Sequence, residues 1–220
     1  MSLTQMSKQP LPGLRYPNGK IIIFARVPLA GAVKTRLASS LGDEQALQVY
    51  LQLLRQTVQR ASASALAAVE VHVTGDPGHP VFTSLAAEYA IKIRCQRGNN
   101  LGQRMYSALA RCLDSSCCCL LIGTDCPNIT AEYLGEAFSI LEQEQDVVIG
   151  PAEDGGYVLI GARRVEKEWF NNIPWGSRQV LQASRGKLAA DKVNYSELKT
   201  LWDIDRVDDY HRWQQQTAAQ

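Results

Sequence analysis

The chain has 220 residues and a formal net charge of +1, with 45% hydrophobic and 20% charged residues. Its apolar content excludes a disordered chain, and an α/β protein of this size commonly folds as one domain. The balanced charge provides no global positive field that would hold a long nucleic acid, so we expect no nucleic-acid partner.

Residues 1–19 hold three of the nine prolines and show no periodic pattern. This composition predicts a flexible leader followed by a single domain over residues 20–220. The leader lacks the apolar core of a signal peptide, and no apolar run approaches the roughly 18 residues that span a bilayer. We therefore expect a cytoplasmic protein with no membrane partner. The six cysteines show no metal-site spacing, which predicts reduced residues of the core.

Short apolar runs indicate the strands of a parallel sheet that is covered on both faces. They lie at residues 21–25, 117–122 and 146–150. Residues 69–73 instead alternate between valine and polar side chains, which predicts a strand with one wetter face, nearer an edge of the sheet. The same alternation places His72 on the strand surface.

Apolar residues at helical spacing predict helices that pack on this sheet. The stripe over 47–58 follows Asp43 as its cap, and the stripe over 134–141 follows Thr130. A third stripe, over 101–113, precedes the cysteine-rich strand. The alternation of strands and helices predicts a three-layer α/β/α architecture with a mostly parallel central sheet.

Charge is segregated along the chain. The first 42 residues contain six basic residues and no acid, whereas residues 112–162 contain nine acids and no basic residue. Much of the acidic charge belongs to solvated helix surface, but Asp125 and Asp154 follow predicted strands. The carboxyl ends of strands in an open α/β sheet are where ligands bind, so these two aspartates are candidate functional residues.

The segment P-L-A-G-A-V-K-T-R-L at 28–37 follows the first strand and has the composition of a phosphate-binding loop. Gly31 permits close backbone approach, and Lys34 and Arg36 can neutralise a polyphosphate. It is not a Walker A loop, because Val33 stands where that motif requires glycine. A plain loop with solvated cations is the alternative interpretation.

Asp125, in G-T-D-C-P-N at 123–128, follows a hydrophobic strand and can offer an oxygen ligand to magnesium or manganese. The alternative is that Asp125 caps the following turn, although Thr130 is better placed to cap the next helix. Asp203 and Asp205 share one side of an extended segment, as a metal-binding pair requires.

The segment Asp154-Gly155-Gly156 is either a hairpin turn or a flexible backbone that closes around a ligand. Trp175 is either part of an acceptor pocket or a buried anchor beneath a loop. Asp208 and Asp209 are expected to complement the start of a helix.

Taken together, these segments resemble the nucleotide-diphospho-sugar transferase superfamily, which has the glycosyltransferase-A fold. Within it the chain is similar to bacterial glycosyltransferase-like proteins, some of them labelled arsenosugar-biosynthesis glycosyltransferases. Further matching stretches are N-L-G-Q-R-M at 100–105, I-P-W-G-S at 173–177 and D-I-D-R-V-D-D-Y at 203–210. The resemblance extends from about residue 20 to residue 213.

The resemblance implies a set of site residues for a nucleotide or nucleotide-sugar donor, a small-molecule acceptor and a Mg²⁺ or Mn²⁺ ion. The residues implied for the nucleotide are Gly31, Lys34, Thr35, Arg36 and Arg104. Those implied for catalysis are Asp125, Asp154 and Lys34, and those implied for the metal are Asp125 with Asp203 or Asp205. Those implied for the acceptor are Asp154, Gly155, Gly156 and Trp175.

The chain departs from glycosyltransferases of this fold at Gly123, which stands where their D-x-D signature has its first aspartate. A single carboxylate there is typical of nucleotidyltransferases, and the A-x-K-T-R-L stretch is similar to phospholactate guanylyltransferases. The G-x-G-x-R loop of sugar nucleotidyltransferases is absent from the sequence.

We therefore predict a metal-dependent transferase with a nucleotide-activated donor, and favour a nucleotide-sugar glycosyltransferase. The alternatives are a nucleotidyltransferase that releases pyrophosphate and a non-catalytic nucleotide-binding protein. Lys34 and Asp125 are expected at opposite ends of a polyphosphate pocket. Bound phosphates would bridge the basic and acidic segments, so these need not pair directly.

Overall fold

The computed structural model describes residues 13–218, which contain one sheet of seven strands and seven α-helices. The strands are β1 (Gly19–Arg26), β2 (Ala68–Thr74), β3 (Lys92–Cys95), β4 (Cys118–Ile122), β5 (Val147–Pro151), β6 (Tyr157–Ala162) and β7 (Tyr195–Glu197). The helices are α1 (Thr35–Leu41), α2 (Asp43–Ala63), α3 (Pro80–Tyr89), α4 (Leu101–Leu113), α5 (Ala131–Glu142), α6 (Val180–Ala190) and α7 (Val207–Ala218), with a short 3-10 helix at Lys167–Phe170.

The strands lie in the order β3-β2-β1-β4-β6-β5-β7. All neighbouring pairs are parallel except the two that involve β6, which runs antiparallel to β4 and β5. The sheet is therefore mostly parallel, as predicted. A reversal at β6 follows from the short β5–β6 hairpin, which leaves no room for a crossover helix.

Helices cover both faces of the sheet. Helices α2, α3 and α5 pack on one face, where Phe82 and Phe138 are fully buried. Helices α4 and α6 and the 3-10 helix pack on the other face. A third apolar cluster, which includes Leu37, Trp202 and Trp213, joins α1, α7 and the outer side of α2. The predicted three-layer architecture is confirmed.

The three apolar runs form β1, β4 and β5. β4 and β5 are buried on both faces, whereas on one face of β1 Phe24 is half-buried and Arg26 is exposed. The predicted wetter face of β2 is wrong, because Glu70 and His72 are 5% and 3% exposed. Glu70 is buried because cations surround it: Lys20 Nζ lies 3.1 Å and Arg94 Nε 2.6 Å from its carboxylate oxygens. His72 Nε2 lies 3.2 Å from Glu70 Oε2, so His72 belongs to this buried network and not to the strand surface.

Helix starts follow the predicted capping at two of three positions. The side chain of Thr130 accepts a hydrogen bond from Tyr133 N, and that of Asp209 accepts from Arg206 N before α7. Asp43 is itself the first residue of α2, and Gly42 occupies the cap position without a side-chain bond.

Residues 1–12 of the expected leader lie outside the described residues. Within residues 13–19, Tyr16 is 5% exposed and stacks on Phe138 with ring centroids 4.6 Å apart, so the predicted start of order near Lys20 is too late. All six cysteines are free, but Cys95 and Cys117 are exposed and do not belong to the core. Among residues 13–218, none of the helices combines the length with the apolar composition that a transmembrane span requires.

Candidate active site

A cavity of about 270 Å³ opens where the carboxyl ends of β1, β2 and β4 meet the start of α4. Its walls are largely apolar and include Phe24, Met105 and Tyr157. Its polar lining includes Thr74, Gln96, Arg104, Asp125 and Asp203. This is the position at which open α/β sheets bind ligands.

The candidate phosphate-binding lysine lies in contact with the candidate metal-binding aspartate. Lys34 Nζ is 2.6 Å from Asp125 Oδ1 and donates a second hydrogen bond of 2.6 Å to the carbonyl of Ile204. The Lys34 side chain is 5% exposed, whereas that of Asp125 is 52% exposed. Asp125 therefore has a surface open to a ligand, while Lys34 reaches it from inside the protein.

A second ion pair joins the same basic loop to the segment that follows Asp203, since Arg36 Nη1 lies 2.7 Å from Asp205 Oδ2 on the surface. The expectations that the basic and acidic segments need not pair, and that Lys34 and Asp125 stand at opposite ends of a pocket, are therefore wrong. Two opposite charges this close neutralise each other through a charge-assisted hydrogen bond without any ligand. Gly31 and Thr35 are exposed in and after the same loop and do not line the cavity.

Asp203 lies beside Asp125 because the backbone joins the two segments. Ile204 N donates to the carbonyl of Asp125 at 2.9 Å, which carries Asp203 to the cavity wall. Burial, reinforced by the charges of Asp125 and Asp154, raises the pKa of Asp203 to about 7. No cation of residues 13–218 forms an ion pair with Asp203.

The three candidate metal ligands do not form one cluster. Within residues 13–218, no group of three or more His, Cys, Asp or Glu side chains is arranged to hold a metal ion. Asp125 and Asp203 line the cavity, whereas Asp205 does not and pairs with Arg36. A pair of carboxylates still suits Mg²⁺, which proteins commonly hold through one or two carboxylates and substrate phosphates.

Arg104 lies in the first turn of α4, on the cavity wall. Its Nη1 donates to Thr74 Oγ1 at 3.1 Å, and its Nε is buried without a hydrogen-bond partner. Thr74 Oγ1 in turn donates to Gln96 Oε1 at 2.7 Å. The lining of the cavity thus includes both the carboxylates of Asp125 and Asp203 and the arginine Arg104.

Asp154 is exposed at the β5–β6 hairpin, and its Oδ1 accepts a hydrogen bond from Gly156 N at 2.8 Å. Gly155 has a φ of +88° and lies against the backbone of Arg178, where a Cβ would stand 2.2 Å from the carbonyl oxygen. The segment is therefore a hairpin turn that also holds the loop after residue 173. Trp175, from that loop, is half-buried and packs edge-on against Tyr157 of the cavity wall, with ring centroids 6.2 Å apart.

Sequence reasoning did not single out Phe24, Thr74, Gln96 or Tyr157. Thr74 ends β2, Gln96 directly follows β3, and Phe24 lies near the end of β1. The positions of these three residues at the carboxyl ends of strands were a usable signal once each strand was identified. Tyr157 gave no such signal, because it begins β6, which runs antiparallel to β4. β3 was not predicted, because its four residues K-I-R-C show neither a fully apolar run nor a clear alternation.

Residues 57–177 match the family described as "Uncharacterized protein conserved in bacteria (DUF2064)". No curated protein matches the chain. Among solved structures, the chain is similar to a proposed nucleotide-diphospho-sugar transferase from Desulfovibrio desulfuricans G20. That similarity has 30% identity and a TM-score of 0.81, and covers 89% of this chain and 86% of that one.

Two more distant structures share the fold. One is CMP:2-keto-3-deoxy-manno-octonic acid synthetase complexed with CTP, with 11% identity, a TM-score of 0.59, and coverage of 92% of this chain and 99% of that one. The other is glucosyl-3-phosphoglycerate synthase from Mycobacterium tuberculosis in complex with Mn²⁺, UDP and glucosyl-3-phosphoglycerate, with 10% identity, a TM-score of 0.53, and coverage of 89% of this chain and 75% of that one. The chain therefore belongs to the DUF2064 family and is a transferase of the nucleotide-diphospho-sugar transferase superfamily, with its glycosyltransferase-A fold.

Proposed function

We propose that this protein is a metal-dependent glycosyltransferase that transfers a sugar from a nucleotide-sugar donor to a small-molecule acceptor. The observation that carries the proposal is that Asp125 and Asp203 line the same cavity, and that Lys34, behind the cavity wall, places its Nζ 2.6 Å from Asp125 Oδ1. A diphosphate needs both positive charge and a metal-binding carboxylate at such a place. The family relationship to a proposed nucleotide-diphospho-sugar transferase supports the same donor class.

The residues present fit a divalent cation. Asp203 forms no ion pair among the described residues and lines the same cavity as Asp125, so a cation bound between the two carboxylates would favour the ionised form of Asp203. Asp125 and Asp203 would hold the ion, with oxygen atoms that suit Mg²⁺ or Mn²⁺. When bound, the ion would neutralise the charge that develops on the departing diphosphate.

The chain's own residues would divide the remaining work. Lys34 would leave Asp125 and bind the phosphates, because it is the cation nearest to the proposed metal position. Asp154, Gly155 and Gly156 would orient the acceptor, with Asp154 accepting a hydrogen bond from its attacking hydroxyl group. Tyr157 and the half-buried Trp175 would exclude water from that side of the cavity.

The second candidate is a nucleotidyltransferase, which would take a nucleoside triphosphate and release pyrophosphate. The absence of a first aspartate at Gly123 and the A-x-K-T-R-L stretch favour it. Lys34 and Arg36 would then contact the departing pyrophosphate.

Product analysis tests both candidates with the same protein. We expect release of a nucleoside diphosphate from a nucleotide sugar in the presence of Mn²⁺, and loss of that turnover in Asp125→Asn. Asp114→Asn, an exposed aspartate after the far end of α4, is the control that should retain activity. Release of pyrophosphate from a nucleoside triphosphate would establish the second candidate. Tight nucleotide binding without turnover across a broad panel of acceptors would support a non-catalytic protein.

A further inference from the structure

We propose that Arg212 of α7 is a positioning residue that clamps together the residues directly before Asp154 and Asp203. The inference rests on the proposed function, in which Asp203 holds the metal ion and Asp154 orients the acceptor. It adds a residue that lies outside the segment matched by the family, residues 57–177.

Residues 201–206, called here the C-terminal segment, are bonded to the turn that carries Asp125. Ile204 N donates to the carbonyl of Asp125 at 2.9 Å. The carbonyl of Ile204 accepts a hydrogen bond of 2.6 Å from Lys34 Nζ. Asp203, one residue earlier, is therefore carried by a backbone that is fixed beside Asp125.

The same C-terminal segment is bonded to the β5–β6 hairpin, which carries Asp154. Leu201 N donates to the carbonyl of Pro151, and Glu153 N donates to the carbonyl of Leu201, each at 2.9 Å. Burial raises the pKa of Asp203 most, and the nearby charge of Asp154 raises it further. The hairpin therefore brings Asp154 close to Asp203.

One guanidinium bridges these two parts of the site. Arg212 Nη1 donates to Glu153 Oε2 at 2.8 Å, and Nη2 donates to Glu153 Oε1 at 3.2 Å. The same guanidinium lies over the ring of Trp202, with its central carbon 4.3 Å from the ring centroid. The first contact holds the residue directly before Asp154, and the second holds the residue directly before Asp203.

The helix that carries Arg212 fixes the position of the guanidinium. The neighbouring Trp213 is 6% exposed and belongs to the apolar cluster that also contains Trp202 and Leu37. A bidentate arginine–carboxylate pair is directional, and the planar guanidinium can stack on an aromatic ring at the same time. Lysine cannot reproduce both contacts, because its ammonium is a point charge.

Electrostatics and positioning predict opposite effects of removing Arg212 on metal binding. A cation close to Asp203 opposes the binding of a divalent metal ion, and Arg212→Met would also leave the negative charge of Glu153 unpaired. Electrostatics alone therefore predicts tighter binding of Mn²⁺ in Arg212→Met. If Arg212 instead holds Asp203 in place, the loss of that support weakens the binding of Mn²⁺.

Electron paramagnetic resonance of free Mn²⁺, titrated with the full chain in the absence of nucleotide, tests the inference. We expect the dissociation constant of Mn²⁺ to rise about tenfold in Arg212→Met, as the loss of a residue that supports a metal ligand typically causes. Arg212→Lys should lose less affinity, because lysine keeps the charge but not the bidentate pair.

Arg185→Met is the matched control. Arg185 also makes a bidentate pair, with Glu197, at 2.7 and 2.6 Å, and neither residue lines the cavity. We therefore expect Arg185→Met to bind Mn²⁺ as the wild type does. Equal losses of affinity in Arg212→Met and Arg185→Met would overturn the inference, because they would indicate a general effect of losing a surface pair.

An affinity for Mn²⁺ that is unchanged or higher in Arg212→Met would also overturn the inference and leave the proposed function standing. If the wild type does not bind Mn²⁺, the proposed metal site and the inference both fail. Melting temperatures show whether each variant is folded. If Arg212→Met does not fold, Arg212→Lys is compared with Arg185→Lys: weaker Mn²⁺ binding in Arg212→Lys alone supports the inference, and equal binding overturns it.

Discussion

Lys34→Gln is expected to strengthen the binding of Mn²⁺ alone and to weaken the binding of nucleotide. In the structure the Lys34 ammonium forms an ion pair with the Asp125 carboxylate, so a metal ion must compete with Lys34 for that carboxylate. A bound phosphate would instead attract Lys34 away from Asp125. Glutamine keeps a donor for the carbonyl of Ile204 but carries no charge. A general loss of structure would weaken the binding of both ligands, so opposite effects on Mn²⁺ and nucleotide would indicate that Lys34 moves between Asp125 and the phosphates.

The size of the effect follows from the contact. A hydrogen bond between charged groups contributes about 1.5–3 kcal/mol. Because the Asp125 side chain is 52% exposed, solvent screening reduces this to about 1–2 kcal/mol. Since ~1.4 kcal/mol corresponds to a factor of ten, the dissociation constant of Mn²⁺ should fall about 5–30-fold in Lys34→Gln.

Electron paramagnetic resonance of free Mn²⁺, titrated with protein at neutral pH, measures this constant directly. Arg36→Gln is the matched control, because the Arg36–Asp205 pair is exposed on both sides and lies outside the cavity. We expect it to change Mn²⁺ binding much less than Lys34→Gln does. In the wild type, nucleotide and Mn²⁺ should each tighten the other by the same factor, and Lys34→Gln should reduce that coupling. An Mn²⁺ affinity that is unchanged or weaker in Lys34→Gln would refute competition between lysine and metal for Asp125.

Three further variants test other parts of the structure. Burial alone would raise the pKa of Glu70, but its hydrogen-bonded and charged partners hold that pKa well below its ordinary value. The resulting stabilisation is complete above the unfolded pKa of ~4.5 and is lost as the pH falls below that value. Glu70→Gln should therefore lower the free energy of unfolding by about 3 kcal/mol at pH 7. In urea titrations at pH 3 the variant should differ less from the wild type. A difference that does not depend on pH would contradict this ionisation state. Gly155→Ala should displace the loop at Arg178, because its Cβ would stand 2.2 Å from that carbonyl oxygen, and should raise the KM for the acceptor more than that for the donor. Equal effects on both KM values would place the loop outside the acceptor side. Phe138→Ala should cost about 3–5 kcal/mol of unfolding free energy, since its ring is fully buried and stacked on Tyr16, and a loss below 1 kcal/mol in denaturant titrations would show that this contact is not part of the core.

The sequence identified most of the framework because its signals are local. Apolar runs long enough to be buried in a sheet predicted β1, β4 and β5, and apolar stripes at helical spacing predicted α2, α4 and α5. Short elements such as β3 were not predicted, since a strand of four residues is too short to show a clear hydrophobic pattern. The environment of β2 was predicted incorrectly, because the polarity of Glu70 indicates solvent unless one knows that Lys20 and Arg94 converge on it.

For the candidate site, too, the sequence predicted the residue types but not the contacts between them. The sequence alone indicated Lys34, Asp125 and Asp203 as residues of the right chemistry, each near the end of a predicted strand or in an extended segment. Only the tertiary structure showed that Lys34 touches Asp125, and that Asp203 lines the cavity while Asp205 pairs with Arg36.

Periodicity and residue type determine secondary structure and the chemistry that is available, because both depend on neighbours in the chain. The ion pair between Lys34 and Asp125 joins residues 91 positions apart in the chain. It depends on the order of the strands and on the hydrogen bond from Ile204 N to the carbonyl of Asp125, and no local sequence pattern predicts either of these.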